Sequence, residues 1–225
     1  MTKKGTTMEY QKVIDYIFQM IKEGRLIVGS KIPSERDIAE KLGIGRNSTR
    51  EAISILRGMG LVESKHGSGN YISKDSGRTI RCIVSVMLSL GSISMKDIMD
   101  YRRVMARSVM ELIFKNGLDN EYKKRLERIV DEMKSASGNK LITLDEEFHV
   151  TLIHATKNPL FVSVMEAIAE VYHESVEKVM GESDGAATMK FVMLHAKILE
   201  SIVKKDENAC LKYITKHYDL AESKL

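Results

Sequence analysis

Residues 1–75 contain three short amphipathic segments followed by a glycine-rich hairpin, and few small folds accommodate that order. Residues 8–22 repeat apolar side chains at the three- and four-residue spacing of a helix. A second helix is predicted to begin after Ser34, a good N-cap residue, and to end at Gly43. A third is predicted over 47–58. Helix, helix, tight turn, helix and hairpin together predict a winged helix-turn-helix.

A winged helix-turn-helix presents one helix to a nucleic acid. The second helix of the motif enters the major groove, where an arginine in its first turn can contact guanine O6 and N7 together. The glycine-rich wing, between strands predicted at 61–64 and 71–73, can approach the minor groove closely. For any single position the alternative is a solvated helix face or an ordinary turn. The candidate DNA contacts are Arg36, Arg46, Asn47, Ser48, Arg50, His66 and Gly67.

The net charge of +4 is distributed unevenly along the chain. Residues 1–75 hold 13 Lys and Arg against 9 Asp and Glu, whereas residues 76–225 hold 22 of each. The whole positive surplus therefore belongs to the first third of the chain. Such a surplus is consistent with binding to a polyanion.

Residues 76–225 are predicted to form an all-α bundle of six or seven helices, joined to the first domain by a polar linker at 73–79. Short turns containing Gly, Asn, Ser or Pro separate the apolar repeats, which is typical of a bundle around one core. The domains are therefore placed at 1–75 and 76–225. The predicted helices are 79–90, 95–116, 119–136, 140–156, 159–180, 186–204 and 207–223.

The bundle contains a candidate metal site. Asp145 and His149 are four residues apart and share one helix face, while His195 and His217 lie on the last two predicted helices. One carboxylate and three imidazoles suit Zn²⁺, Ni²⁺ or Mn²⁺. The alternative is that these histidines are hydrogen-bonded structural residues, the interpretation that also applies to His154 and His173.

Methionines are frequent in the same region. Adaptable core packing is their usual role, and a cavity for an apolar effector is the alternative. The methionines concerned are Met87, Met95, Met99, Met105, Met110, Met133, Met165, Met180, Met189 and Met193.

The N-terminal motifs resemble a known family. The run 33–43, the following segment 46–52 and the glycines of the wing are similar to the DNA-binding domain of GntR-type bacterial transcription regulators. The resemblance implies that Arg36, Arg46, Ser48, Arg50, His66 and Gly67 contact operator DNA. One departure is Gly45, where the family usually has Ser or Thr able to contact a phosphate.

The second domain resembles the FCD effector domain of the FadR-like branch of that family. The resemblance rests on Asp145-x-x-x-His149, Asn158-Pro159-Leu160, His195 and His217. It implies a divalent metal, with Zn²⁺ or Ni²⁺ favoured, and a small carboxylate ligand beside it. Arg102 matches the arginine that pairs with this ligand, and Asn158 is assigned to the same effector site. Ala106 replaces the usual glutamate, so either Arg102 or Arg103 could face inward.

These features predict a ligand-responsive regulator that binds a palindromic operator in double-stranded DNA as a homodimer. A metal-free regulator responding to an acyl or other apolar effector is the first alternative. A metal-dependent hydrolase is the second, but the chain has no HExxH, nucleophile or phosphate-loop motif, and we therefore expect no enzymatic activity.

The composition also predicts where the protein acts. No segment approaches the about 20 apolar residues of a membrane span, and the N-terminus lacks an apolar signal core. The two cysteines, Cys82 and Cys210, lie far apart without CxxC spacing. We therefore expect a cytoplasmic protein with no membrane partner.

Overall fold

The computed structural model describes residues 8–75, 77–176 and 185–222, with the backbone alone described at 173–176 and 185–188. The chain divides into two compact units, Met1–Thr79 and Ile80–Leu225. None of the described helices has the length and apolar composition needed to cross a membrane.

The first unit is a helix-turn-helix with a two-stranded wing, as predicted. Its strands are antiparallel, with Val62 opposite Ile72 and Lys65 opposite Gly69. An isolated bridge between Lys31 and Tyr71 adds the segment before the second helix to the edge of the wing. The elements are α1 (Glu9–Lys22), α2 (Glu35–Leu42), α3 (Arg46–Gly58), β1 (Val62–Lys65) and β2 (Gly69–Ile72).

Local chemistry fixes both ends of α2. The Ser34 hydroxyl accepts a hydrogen bond from the Asp37 backbone N–H at 3.2 Å, and the Asp37 carboxylate accepts one from the Ser34 N–H at 3.3 Å. This reciprocal capping box satisfies two N–H groups that the helix leaves unpaired. At the other end Gly43 has a φ of 64°, a left-handed conformation that glycine adopts without steric cost.

The core of the first unit orients α3. Val13 and Ile17 of α1 pack with Ile38 of α2, Leu56 of α3 and Val62 of β1, and all five are buried. Because the apolar stripe of α3 faces this core, Arg46, Asn47 and Arg50 at the start of the helix are left exposed to solvent.

The second unit contains seven described helices. Their ends agree with the predicted segments to within about three residues, apart from residues 177–180 and 223, which lie outside the described part. The helices are α4 (Arg78–Ser89), α5 (Met95–Asn116), α6 (Asn120–Met133), α7 (Gly138–Ala155), α8 (Pro159–Val176), α9 (Gly185–Val203) and α10 (Glu207–Glu222).

The core of this unit lies between α5, α6, α7, α8, α9 and α10. Phe148, Met110, Leu126, Ile198 and Ile214 are all almost completely buried there. This core surrounds the three histidines that the sequence analysis placed at the metal site.

The core-packing prediction is correct for some methionines only. Met99, Met110, Met133 and Met165 are buried, and Met95 and Met105 are partly buried against apolar clusters. The prediction is wrong for Met87, Met189 and Met193, which project from the outer faces of α4 and α9 and are exposed. Met180 lies outside the described residues.

Candidate functional site

The second unit brings the four predicted metal ligands together. Asp145 and His149 lie one turn apart on α7, His195 comes from α9 and His217 from α10. Asp145 Oδ1 is 2.9 Å from His195 Nε2 and 3.5 Å from both His149 Nε2 and His217 Nε2. The ligand atoms all lie within 4.8 Å of one another, and the three imidazoles are buried.

Hydrogen bonding around His195 orients its lone pair toward the cluster. His195 Nδ1 is 2.9 Å from the Phe191 carbonyl oxygen, which can only accept, so Nδ1 carries the proton. In the neutral imidazole Nε2 then has a lone pair, and it faces Asp145 Oδ1 at 2.9 Å and His217 Nε2 at 3.1 Å. An imidazole held by a backbone carbonyl in this way is the usual arrangement of a metal-ligating histidine.

Unpaired buried atoms support the same interpretation. Among the described residues, His149 Nε2 and His217 Nδ1 are buried without a hydrogen-bond partner. A buried polar atom without a partner is costly, and coordination by a cation would recruit the His149 lone pair. The residues present therefore fit a bound divalent ion.

The spacing of the ligand atoms also suits a metal. Two atoms that each lie about 2.1 Å from one ion are about 3.0 Å apart at a right angle and about 3.4 Å apart at the tetrahedral angle. Four of the six separations, the three from Asp145 Oδ1 and the one between His195 Nε2 and His217 Nε2, are 2.9–3.5 Å and span these values.

The protonation states favour coordination. Burial and the neighbouring His195 lower the pKa of His217 to about 3, and burial also lowers the pKa of His149. Burial alone would raise the pKa of Asp145, but the three surrounding imidazoles, with His149 contributing most, hold it well below its usual value. At neutral pH His149 and His217 are therefore neutral and Asp145 is a carboxylate, the forms that bind metal.

Arg102 lies beside this cluster and faces inward. It is 6% exposed, and its guanidinium carbon is 3.9 Å from the centre of the Tyr172 ring. Arg103 instead pairs with Asp219 at 2.7 Å and Glu222 at 2.6 Å on α10. No described acidic side chain forms an ion pair with Arg102, so its charge is buried against an aromatic face.

Arg102 contributes to a cavity of about 20 Å³. His149 and Tyr218 also line it, together with eight described apolar residues. Asn158, which was assigned to the effector site, is not among the described lining residues. Its Oδ1 accepts hydrogen bonds from the N–H groups of Leu160 at 3.0 Å and Phe161 at 3.3 Å, and so caps α8.

The other two histidines considered for chemistry lie apart from the cluster. His154 Nε2 is 2.6 Å from Glu166 Oε1, a hydrogen-bonded pair between α7 and α8. The side chain of His173 lies outside the described residues.

The four predicted DNA contacts at the start of α3 differ in whether a carboxylate of the same unit already binds them. Arg46 and Asn47 are exposed. The Ser48 hydroxyl donates to Glu9 Oε2 at 2.8 Å, and Arg50 Nε donates to Glu35 Oε2 at 3.3 Å. Ser48 and Arg50 would therefore have to exchange these exposed carboxylates for DNA groups.

The remaining candidates lie around the wing. Arg36 and Arg46 line one surface groove of about 460 Å³ together with Lys31 and residues 68–70. His66 and Gly67 are exposed at the wing tip, where the φ of 68° at Gly67 suits glycine.

Lys31 was missed by the sequence analysis. It precedes α2 in an irregular segment, and it reaches the groove because its backbone pairs with Tyr71 of β2. No helical or strand spacing connects Lys31 to Arg46, and a basic residue just before a motif is too common to be a signal.

Comparison with known proteins identifies both units. The family described as "Bacterial regulatory proteins, gntR family" matches residues 9–72. The FCD domain matches residues 97–220, more than half of the chain. The chain belongs to the GntR family. Its second unit is the FCD domain of the FadR-like branch, and the protein is a DNA-binding transcription regulator with an effector-binding domain and is not an enzyme.

Individual GntR relatives align over most of the chain. The HTH-type transcriptional regulator LutR of Bacillus subtilis is 30% identical over 164 residues, covering 71% of this chain and 73% of LutR. The Glc operon transcriptional activator of Escherichia coli is 27% identical over 171 residues, covering 73% of this chain and 67% of the activator. The solved structure of Streptococcus agalactiae GntR shares the fold, with a TM-score of 0.77 and 23% identity. The match covers 96% of this chain and 100% of the Streptococcus agalactiae chain.

Proposed function

We propose that this GntR regulator binds a palindromic operator as a homodimer, and that a small organic acid beside a divalent metal changes its affinity for DNA. DNA binding is assigned to residues 1–75, and effector binding and dimerisation to residues 76–225. The proposal rests on Arg102, whose guanidinium is buried next to the Asp145 and His149 cluster and forms no ion pair with an acidic side chain that the structure describes. Since the operator is chromosomal, the proposed place of action is the cytoplasm.

For DNA reading, we assign base contacts to Arg46 and to Asn47, both exposed in the first turn of α3. Ser48 and Arg50 would take base or phosphate contacts once released from Glu9 and Glu35. The other assigned contacts are Arg36 in the groove, His66 and Gly67 at the wing tip, and Lys31 as an additional phosphate contact.

For the effector site, we assign Asp145, His149, His195 and His217 as ligands of Zn²⁺ or Ni²⁺. When bound, the ion would supply a positive charge for a carboxylate oxygen. Arg102 would hold the carboxylate through its planar N–H donors, and stacking on Tyr172 keeps that plane in place. The acid would alter DNA binding by binding more tightly to one of two states of the protein.

For the dimer, α4 offers a surface that lacks a partner within the described chain. None of its twelve residues is buried, and Ile83 and Val86, together with Leu90 directly after its last residue, are at least half exposed on one side. Val84 and Leu88 on the opposite face pack against the apolar cluster around Ile98, Ile168 and Val171 of α5 and α8. An apolar face of this kind is typical of an interaction surface. We assign it to a second copy of the chain, since a palindromic operator requires two modules related by a twofold axis.

DNA binding tests the proposal directly. Fluorescence anisotropy with DNA from upstream of the protein's own gene should show salt-dependent, sequence-specific binding. Arg46→Ala should weaken specific binding by about 5- to 150-fold if the side chain makes a bidentate base contact. Arg57→Ala is the matched control, because it removes the same charge from the last turn of α3, and it should have little effect. Equal effects of the two variants, or binding without sequence preference, would contradict the proposal.

Lys31→Ala tests whether Lys31 contacts the phosphate backbone or reads a base. A phosphate contact made by Lys31 should contribute equally to specific and non-specific binding. Its loss should weaken both and reduce the slope of log K against log salt by about one. A loss confined to the specific sequence would assign Lys31 to base reading instead.

A further inference from the structure

The wall of the cavity beside Arg102 is mostly hydrocarbon. Eight of its eleven described lining residues are apolar, among them Ala106, Met110, Leu152 and Met165. These side chains have no conventional hydrogen-bond donor or acceptor. A hydroxyl or carboxylate placed against this wall would lose its water without gaining a partner.

The polar groups of the cavity lie close together. The rings of His149 and Tyr218 have centroids 6.0 Å apart, and both interact electrostatically with Arg102. The cavity therefore has one polar end and an apolar remainder. A ligand that fits must therefore also have one polar end and an apolar remainder.

The charge of the cavity favours one anionic group at Arg102. Arg102 is buried without an acidic partner among the described side chains, while the charge of the neighbouring Arg103 is already paired with Asp219 and Glu222. One carboxylate at Arg102 would compensate its charge. A second carboxylate on the same ligand would have to lie against the hydrocarbon wall.

We propose that the effector is a short aliphatic monocarboxylate, with its carboxylate at Arg102 and its hydrocarbon part against the apolar wall. Sugar acids and dicarboxylates are excluded, because each would place a polar group where the wall offers no partner. The inference rests on the proposed function for its premise that a small acid binds in this domain, and it specifies the chemical class of that acid.

The size of the cavity limits the length of the acid. A cavity of about 20 Å³ holds about one water molecule, so an acid requires side chains to move. Met110 and Met165 are unbranched and can change rotamer at little cost, whereas Ala106 and Ala169 already have the smallest side chains that still carry a Cβ atom. The space gained in this way accommodates a short chain and rejects a long one.

Calorimetric titration of the full chain, loaded with Zn²⁺ and separately with Ni²⁺, tests the inference. Affinity should rise about three- to fourfold for each methylene from acetate through propionate to butyrate, and octanoate should bind more weakly than butyrate. Succinate and threonate have the carbon chain of butyrate but add a carboxylate or hydroxyls. Each should bind at least about tenfold more weakly than butyrate.

A matched pair of variants localises the effect. Ala106→Ser places one hydroxyl in the wall with almost no change of volume, and it should reduce the preference for butyrate over threonate. Ala209→Ser on α10 makes the same change outside the described lining and should leave the preference unchanged. Thermal unfolding confirms that both variants are folded, and Arg102→Gln should weaken binding of all three short acids.

The outcomes separate this inference from the proposed function. Tighter binding of succinate or threonate than of butyrate, or equal affinity from acetate to butyrate, would overturn the inference and leave the proposed function standing. The predicted series in a protein that binds no operator would support the inference and contradict the proposed function. Absence of binding by every acid tested would overturn the inference and also the effector part of the proposed function.

Discussion

Arg102 and Arg103 are adjacent in sequence but have opposite environments. Arg102 follows Met99 by three residues and precedes Ala106 and Val109 by four and seven, so it lies on the buried stripe of α5. Arg103 is rotated by about 100° around the helix and reaches the carboxylates of α10. This spacing was a signal in the sequence that could have resolved which arginine faces inward.

The four residues of the candidate metal site were predictable for a different reason. The four-residue separation of Asp145 and His149 indicates a shared helix face, and the resemblance to the FCD domain supplied His195 and His217. The contact between His195 Nδ1 and the Phe191 carbonyl could not be predicted, because a side chain reaches the i−4 carbonyl of its own helix only in certain rotamers. At Asn158 the sequence did not distinguish between two roles. An Asn before Pro159 is also a good helix cap, and in the structure Asn158 caps α8.

Loss of one metal ligand should remove the metal. His217→Ala should reduce the metal content measured by mass spectrometry from about one ion per chain to near zero. It should also abolish the loss of thermal stability that a chelator causes in the unmodified protein. Metal present at 100 times its Kd stabilises the folded state by about 2.7 kcal/mol, so the chelator effect is measurable.

His154→Ala is the control for this experiment. It removes an imidazole from the same domain, but one that pairs with Glu166 outside the cluster, so metal content should stay unchanged. Unmodified protein that contains no metal and whose unfolding is insensitive to chelator would contradict the metal assignment. That result would favour the metal-free alternative.

At the scale of single elements, the N-terminus of α3 has no side-chain cap. Gly45 occupies the N-cap position with a φ of −70°, which any residue can adopt. The nearest side-chain atoms to a Cβ added there are 3.8 and 3.9 Å away, an ordinary contact distance. The position where the family usually has Ser or Thr can therefore accept one.

Gly45→Ser should stabilise the domain and strengthen DNA binding. A serine N-cap is worth a few tenths of a kcal/mol more than glycine, and its hydroxyl can also donate to a phosphate. Thermal unfolding and anisotropy measure the two effects. Gly43→Ser makes the same change two residues earlier, where the φ of 64° disfavours a side chain, and should destabilise by about 1 kcal/mol or more. Destabilisation by both variants would show that the cap position itself cannot accept a side chain.

The elements themselves were predictable wherever local signals mark their ends. Ser34 and Asp37 mark the start of α2, and Gly43 marks its end. The wing strands differ from the predicted ranges by one to two residues, because their register depends on the pairing of Lys65 with Gly69 and not on apolar spacing alone. The bridge from Lys31 to Tyr71 is a contact distant in sequence, and no local pattern encodes it.

At the scale of the whole molecule, the unpartnered face of α4 explains why apolar spacing misplaced Met87. The spacing shows that a side chain lies on an apolar face but does not show whether the same chain or another covers it. The twelve residues of α4 carry no acidic group, and Ile83, Val86 and the following Leu90 are exposed, whereas Val84 and Leu88 pack against α5 and α8. The sequence could therefore predict the helix but not its uncovered side.

Introducing a charge on this face should separate the proposed dimer. Leu90→Glu should shift the molecule from dimer to monomer in sedimentation velocity and reduce binding to a two-half-site operator more than to a single half-site. Leu160→Glu is the control, because Leu160 is similarly exposed but lies on α8. If Leu160→Glu dissociates the dimer and Leu90→Glu does not, the interface lies elsewhere.

The small cavity beside Arg102 also limits how quickly an acid can bind. Since a volume of about 20 Å³ admits little more than one water molecule, entry waits for the surrounding side chains to move. Collective movements of packed helices take microseconds to milliseconds, far longer than a diffusional encounter at high acid concentration. The association rate should then reach a plateau as acid is added, which stopped-flow mixing would show. The maximum rate of acid binding would thus be set by the packing inside the bundle and not by the acid concentration.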